Sequence, residues 1–158
     1  MKRPADKPLP LAPRSAARVA AVQALYQMDL AGTDLTDVIA EFSVLRFGAK
    51  AEDETLKDAD VAYFTDLLKG VVRRQREIDP MIDQQLAQGW RLNRIDSILR
   101  AILRAGVFEL LERSDVPARV VITEHVNVAH AFLADDEPKV VNGVLDKLAR
   151  RLRPKEFE

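Results

Sequence analysis

Cysteine is absent from this 158-residue chain, and no apolar run is long enough to cross a membrane. Without cysteine there is no disulfide framework, no thiol nucleophile and no cysteine-based zinc or iron–sulfur site. A membrane span needs about 20 apolar residues, and a signal peptide needs an apolar core that the first ten residues lack. These absences predict a cytoplasmic protein.

The chain also lacks the motifs that position catalytic groups. It has no glycine-rich phosphate loop, no dinucleotide-binding fingerprint and no nucleophile elbow. Its two histidines, His125 and His130, are five residues apart, so they lie on different faces of a helix and lack metal-site spacing. The acidic loop at residues 49–57 offers nothing that would fix a carboxylate for acid–base chemistry. We therefore expect no catalytic activity, no metal and no cofactor.

Charge is abundant but unevenly distributed, although the formal net charge is only −1. Residues 1–18 hold five basic residues against one acidic residue, and residues 147–158 hold five against two. Residues 29–66 hold ten acidic residues against three basic ones. Basic ends around an acidic middle favour a protein that binds a polyanion on one side and a basic partner on another. Charged helix faces and tails that simply contact water, without binding a partner, explain the same pattern equally well.

Hydrophobic periodicity predicts an all-α fold of about seven helices. The helices should form one domain at residues 14–154, after a flexible, proline-rich arm at 1–13 and before a short tail at 155–158. The expected starting residues are polar: Ser15, Thr33 or Asp34, Asp58, Asp79, Asn93, Asp115 and Asp136. Ser15 and Asp79 are predicted to cap their helices. Gly32, Gly48 and Gly89 are expected to end the first, second and fourth helices. The fifth helix, residues 94–113, is apolar around most of its circumference and should be central.

The last helix contains Asn142-Gly143, a pair that usually signals a hairpin turn. Its flanks follow the three- and four-residue spacing of a helix rather than the alternation of strands, so Gly143 should lie inside a helix. Glycine there costs roughly 1 kcal/mol relative to alanine. We therefore predict that another helix packs closely against Gly143.

Nucleic-acid binding has more support than catalysis. Arg14 and Arg18 are four residues apart in the first helical turn, where unpaired backbone N–H groups also favour anions. Tyr26 is the aromatic residue nearest to them, and it fits core packing with a surface hydroxyl better than base stacking. Arg100 and Arg104, with Asp96 one turn earlier, fit a structural ion-pair ladder better than an RNA contact.

Five segments resemble, in order, the bacterial transcription antitermination factor NusB family. They are RVAAVQALYQ (18–27), YFTDLLKGV (63–71), ILRAILRAGVFEL (98–110), DVPARVVITEHV (115–126) and KVVNGVLD (139–146). The resemblance spans residues 14–154 and implies two packed three-helix groups without catalytic activity. It further implies pairing with ribosomal protein NusE, binding of boxA in nascent ribosomal RNA and action within the RNA polymerase antitermination complex.

By position, the resemblance implies RNA contacts at Arg14, Arg18, Tyr26, Asp136 and Lys139. The chain departs from the family pattern at Val140, where the family often has phenylalanine, and at residues 15–17, which carry no arginine. Both departures should weaken RNA binding by the chain alone and increase its dependence on a partner. Two other functions stay open, an RNA-recognition domain related to ribosomal RNA methyltransferases and a helical adaptor that binds no RNA. A homodimer also stays open.

Overall fold

The computed structural model describes residues 10–49, 51–87, 90–134 and 136–158. These ranges contain six α-helices and two short 3₁₀ helices but no β-strand. The α-helices are α1 (Pro13–Ala31), α2 (Leu35–Leu45), α3 (Val61–Gln85), α4 (Ser97–Glu112), α5 (Ala118–Phe132) and α6 (Glu137–Leu152), and the 3₁₀ helices are Glu54–Leu56 and Pro154–Phe157. The all-α prediction is confirmed, whereas seven helices is wrong for the described ranges. Most of the predicted arm, residues 1–9, lies outside them, and so does Gly89, the predicted end of the fourth helix.

One helix replaces two predicted ones because α3 continues through Pro80. Proline inside a helix removes one backbone hydrogen bond and crowds the preceding turn. Here Ile78 and Ile82 on either side of Pro80 are fully buried, and Asp79 accepts two 2.9 Å hydrogen bonds from Arg104 of α4. Packing against α4 thus outweighs the local cost, and Asp79 serves as an ion-pair partner instead of the predicted cap.

Most predicted helix ends lie within a few residues of the observed ones. Asp34 caps α2 through the Thr36 amide, and Gly32 ends α1 with a left-handed φ of 68°. The start of α1 was wrong: the helix begins at Pro13, and Ser15 lies inside it. The Ser15 hydroxyl donates a 2.5 Å hydrogen bond to Glu124 of α5, so a tertiary contact uses the group that was expected to cap the helix.

The central position predicted for the fifth helix is confirmed by α4. It packs against α1, α3, α5 and α6, while α1–α3 pack among themselves and α5 packs on α6. Its side chains are buried around most of the circumference. Phe42 of α2 stacks on Phe64 of α3 at 5.4 Å between ring centroids, which joins α2 to the core. No helix within the described ranges is long and apolar enough to cross a membrane.

The predicted close contact at Gly143 is wrong. A Cβ atom built there would meet no atom within 4 Å, because that side of α6 opens onto a surface groove. The close approaches occur at two other helical glycines. A Cβ on Gly70 would lie 2.0 Å from the Phe108 ring, and one on Gly106 would lie 2.8 Å from Leu145.

Gly143→Ala is therefore expected to stabilise the protein by up to about 1 kcal/mol. The substitution improves helix propensity and meets no steric obstacle. Urea denaturation of the variant and the parent protein measures the difference. A destabilised variant would show that the groove beside Gly143 is closed in solution.

Candidate nucleic-acid interface

A buried polar cluster centred on Glu109 joins α1, α3, α4 and α5. Arg18 donates from Nε and Nη2 to the two carboxylate oxygens of Glu109, each at 2.9 Å. The Tyr63 hydroxyl donates to Oε1, and Nε2 of His125 lies 2.6 Å from Oε2. Arg18 also pairs with Glu124 through Nη1 at 2.9 Å. Four donors thus satisfy a carboxylate that is fully excluded from solvent.

The electrostatics of this cluster favour an ionised Glu109. Burial alone would raise the pKa of Glu109, but hydrogen bonds and charge interactions with His125 and Arg18 lower it to about 2. Burial and the neighbouring Glu109 carboxylate raise the pKa of the Tyr63 hydroxyl, so Tyr63 stays protonated and donates. Nδ1 of His125 is buried and has no hydrogen-bond partner among the described residues.

The structure places Arg18 inside this cluster, which corrects the prediction of two neighbouring surface guanidinium groups. Arg18 is only 2% exposed, whereas the side chain of Arg14 is 45% exposed. A sequence signal existed, because Glu109 is the one carboxylate within the apolar stretch 98–110 and so requires a buried cation. Small residues next to Arg18 on α1, including Ala17 and Ala21, leave room for α4 and α5 to reach it.

Arg14 lies on the surface directly above the buried cluster. Its guanidinium carbon is 4.6 Å from the ring centroid of Tyr63, and its Nη1 is 3.4 Å from Asp115. The guanidinium carbon of Arg113 lies at the same 4.6 Å from that ring. Exposed ion pairs of this kind are weak, so Arg14 can exchange Asp115 for another anion at little cost.

Asp136 and Lys139 form the exposed turn at the start of α6. Their side chains are 84% and 83% exposed and meet at 3.8 Å, which leaves both free to contact a ligand. Tyr26 is half-buried on α1. It lies eleven residues, or about three helical turns, after Ser15, so both side chains share one face of α1. At Ser15 that face contacts α5 through Glu124.

Arg14 and the Asp136–Lys139 turn lie at opposite ends of α4. Arg14 contacts Asp115, just beyond the end of α4, whereas Glu137 lines a groove with Asp96 at its beginning. The 16 residues of α4 span about 24 Å. The predicted RNA-binding residues therefore do not form one compact pocket, and only an extended ligand would reach both ends.

Arg100 and Arg104 form structural ion pairs, as the sequence predicted, but with different partners. Arg100 reaches Asp29 of α1 at 2.5 Å, and Arg104 binds Asp79 of α3. Asp96, the expected partner, instead caps α4 by accepting hydrogen bonds from two backbone amides. Within the described residues no cluster of histidine, aspartate and glutamate has the arrangement of a metal site.

Sequence reasoning missed Trp90, the single tryptophan of the chain. It is 40% exposed on the segment between α3 and α4. This segment has no hydrophobic periodicity, so the helix analysis assigned it no role. The indole borders the same surface groove as Val140 and Gly143 of α6. An aromatic ring thus stands beside Val140, although residue 140 is aliphatic.

Comparison with known proteins identifies relatives along most of the chain. Residues 15–150 match the NusB family. The transcription antitermination protein NusB of Rhodopseudomonas palustris strain TIE-1 is 55% identical over 144 residues, which cover 91% of this chain and 83% of that protein. The protein of the same name from Sinorhizobium fredii is 52% identical over 151 residues, covering 95% and 94%.

Solved structures share the fold. T. maritima NusB superposes with a TM-score of 0.74 at 28% identity, covering 93% of this chain and 98% of that one. A crystal structure of the antitermination factors NusB and NusE in complex with dsRNA gives a TM-score of 0.66 at 28% identity, covering 87% and 96%. With the family match over residues 15–150 and relatives more than half identical, this chain belongs to the NusB family.

Proposed function

We propose that this protein is a transcription antitermination factor that pairs with ribosomal protein NusE and binds single-stranded boxA RNA. In this role it would act within the RNA polymerase antitermination complex on ribosomal RNA operons. The observation that carries the proposal is the similarity to a NusB structure solved with NusE and dsRNA, joined to exposed polar groups at both ends of α4.

The RNA would run along the side formed by α1 and α5, from Arg14 to the Asp136–Lys139 turn. Arg14 and Lys139 supply exposed cations at the two ends. Tyr26 is half-buried on the same face of α1 as Ser15. A separation of about 24 Å suits several nucleotides of extended single strand, within the roughly 4–16 that single-strand binding folds occupy. Asp136 would accept hydrogen bonds from base N–H groups.

Arg18 has a different role in this proposal. Its guanidinium is held by Glu109, Glu124 and Tyr63, so it anchors the first turn of α1 and the Tyr63 ring beneath Arg14. Arg18 is thus a positioning residue. Removing it would leave Glu109 buried and unpaired, so any loss of RNA affinity would report lost stability rather than a lost contact.

Replacing both Arg14 and Lys139 with alanine is expected to weaken RNA binding and flatten its salt dependence. Each phosphate contact on a single strand contributes a slope of about 0.7 in log affinity against log salt, so losing two contacts lowers it by about 1.4. Fluorescence anisotropy of labelled boxA RNA, titrated at several salt concentrations with and without NusE, measures both quantities.

The control variant is Lys69→Ala with Arg76→Ala. Both residues are exposed on α3, away from the proposed path, and the charge change is identical. An equal loss in this control would show a general charge effect and contradict the proposed path. Affinity that is absent in every condition would favour a helical adaptor that binds no RNA, whose packing interface with NusE would respond little to salt.

A further inference from the structure

We propose that Trp90 is a base-stacking platform that extends the RNA path beyond the α5–α6 turn. This inference rests on the RNA-binding function proposed above and adds a site that lies on the α3–α4 connection. The observations that support the inference are the exposure of Trp90, the two grooves beside it and the cations that border them.

Trp90 separates two surface grooves. One, of about 210 Å³, is bordered by Leu86 and by Val140 and Gly143 of α6. Its floor is open at Gly143, where an added Cβ would meet nothing within 4 Å. Drug-sized ligands occupy pockets of about 300–1,000 Å³, so this groove suits a single planar base or one side chain. The other groove, of about 370 Å³, lies on the side of α4.

The connection that carries Trp90 is anchored on both sides of Leu92. The Leu92 amide donates to Asp83 of α3 at 3.1 Å, and its carbonyl accepts from Arg100 of α4 at 3.1 Å. The Leu92 side chain is buried, and the Trp90 amide donates to the Ala87 carbonyl at 2.9 Å. These contacts fix the backbone at Trp90 and Leu92 before a ligand arrives, so less of the connection has to become ordered when a base stacks.

The charges around Trp90 favour a nucleic acid over an apolar protein segment. Arg91 and Arg94 border the larger groove, Lys147 borders the smaller one, and all three are exposed. None of the ion pairs between described residues involves these three cations. Asp96 and Glu137 also border the larger groove, and the Asp96 carboxylate is engaged in capping α4. An aromatic face among cations is the usual composition of a single-strand binding surface.

The position of Trp90 continues the proposed path. Its smaller groove includes Val140, the residue that follows Lys139 in α6, and its larger groove includes Glu137. A strand that passes Arg14 and the Asp136–Lys139 turn would therefore reach Trp90 next. The alternative occupant, a side chain of a protein partner, would fill the same groove without requiring the cations.

Because Trp90 is the only tryptophan, its fluorescence reports directly on this site. Titration with unlabelled boxA RNA should quench the emission with the midpoint measured by anisotropy of labelled RNA. Trp90→Leu, which keeps an apolar side chain but removes the ring, should bind about tenfold more weakly, which corresponds to about 1.4 kcal/mol. Trp90→Phe should retain most of the affinity, and thermal melts should show all three proteins folded.

Each result decides between the proposals. RNA binding without quenching, or Trp90→Leu binding as tightly as the parent protein, would overturn the stacking role and leave the antitermination proposal intact. Emission that responds to NusE alone and not to RNA would assign the groove to a protein contact and overturn the inference. Absence of RNA binding by the parent protein, with and without NusE, would overturn both proposals.

Discussion

Replacing Glu109 with alanine should destabilise the protein by about 3–5 kcal/mol. The carboxylate is fully buried and accepts hydrogen bonds from Arg18, Tyr63 and His125. Its removal leaves the guanidinium of Arg18 in the interior with only Glu124 as a counter-ion. Breaking a buried pair by removing one partner is costly because the other charge stays desolvated.

Thermal and urea denaturation measure this effect against a matched control on the same helix. Glu112 of α4 also binds two arginines, Arg73 and Arg74, but at the surface. Glu112→Ala should cost less than about 1 kcal/mol, since exposed ion pairs contribute little. At roughly 2–4 °C per kcal/mol for a chain of this length, Glu109→Ala should melt about 10 °C lower than the parent protein. Equal melting temperatures for the two variants would contradict the importance of the buried cluster.

The acid response of the protein gives a second readout of the same carboxylate. The pKa of Glu109 is lowered from 4.5 to about 2 in the folded state, so folding is stabilised while the carboxylate is ionised. That contribution is fully present above about pH 5 and is lost as the pH falls toward 2. Glu109→Gln should therefore lose less stability than the parent protein across this window, as measured by urea denaturation at pH 5, 4 and 3. If the variant and the parent protein lost the same stability between pH 5 and pH 3, Glu109 would be excluded as the source of the acid dependence.

Gly70→Ala should destabilise the protein by about 3 kcal/mol, the upper part of the range for overpacked cores. The new Cβ would lie 2.0–2.7 Å from three atoms of the Phe108 ring. Phe108 is itself completely buried, so its ring cannot move aside without disturbing α3 and α4. Gly143→Ala makes the same chemical change in a helix without a neighbour and is the internal control.

A double-mutant cycle with Phe108→Leu separates this clash from a general intolerance of alanine in α3. The smaller side chain should relieve part of the overlap, so the two substitutions together should cost less than the sum of their separate effects. Strict additivity, or a Gly70→Ala variant as stable as the parent protein, would show that α3 and α4 do not approach each other this closely in solution.

Local signals in the sequence identified most of the helices and the central one. Asp34 and Gly32 determine helix ends through short-range hydrogen bonding and backbone geometry, which a sequence reveals directly. The break expected at Pro80 was wrong because the stability of α3 depends on Ile78, Ile82 and the pair of Asp79 with Arg104. Those are tertiary contacts, and local rules for proline do not include them.

The residues of the candidate site also differ in whether local signals or tertiary contacts determine their environment. Arg14 was predicted from its place at a helix start, whereas Asp136 and Lys139 were implied by the family resemblance, and all three are exposed. The burial of Arg18 depends on Glu109 and His125, which are about 90 and 107 residues away in the chain, a pairing that one-dimensional periodicity does not reveal. Gly143 was singled out for the correct reason, a glycine inside a helix, but the missing side chain opens a groove rather than admitting a second helix.

The path of the RNA can be mapped in one measurement, by cross-linking boxA RNA that carries 4-thiouridine to the protein in the presence of NusE. Mass spectrometry of the digested complex should place cross-links at the start of α1 around Arg14, at the Asp136–Lys139 turn and at Trp90. Cross-links confined to α2 or to the exposed face of α3 around Lys69 and Arg76 would contradict the proposed RNA-binding surface.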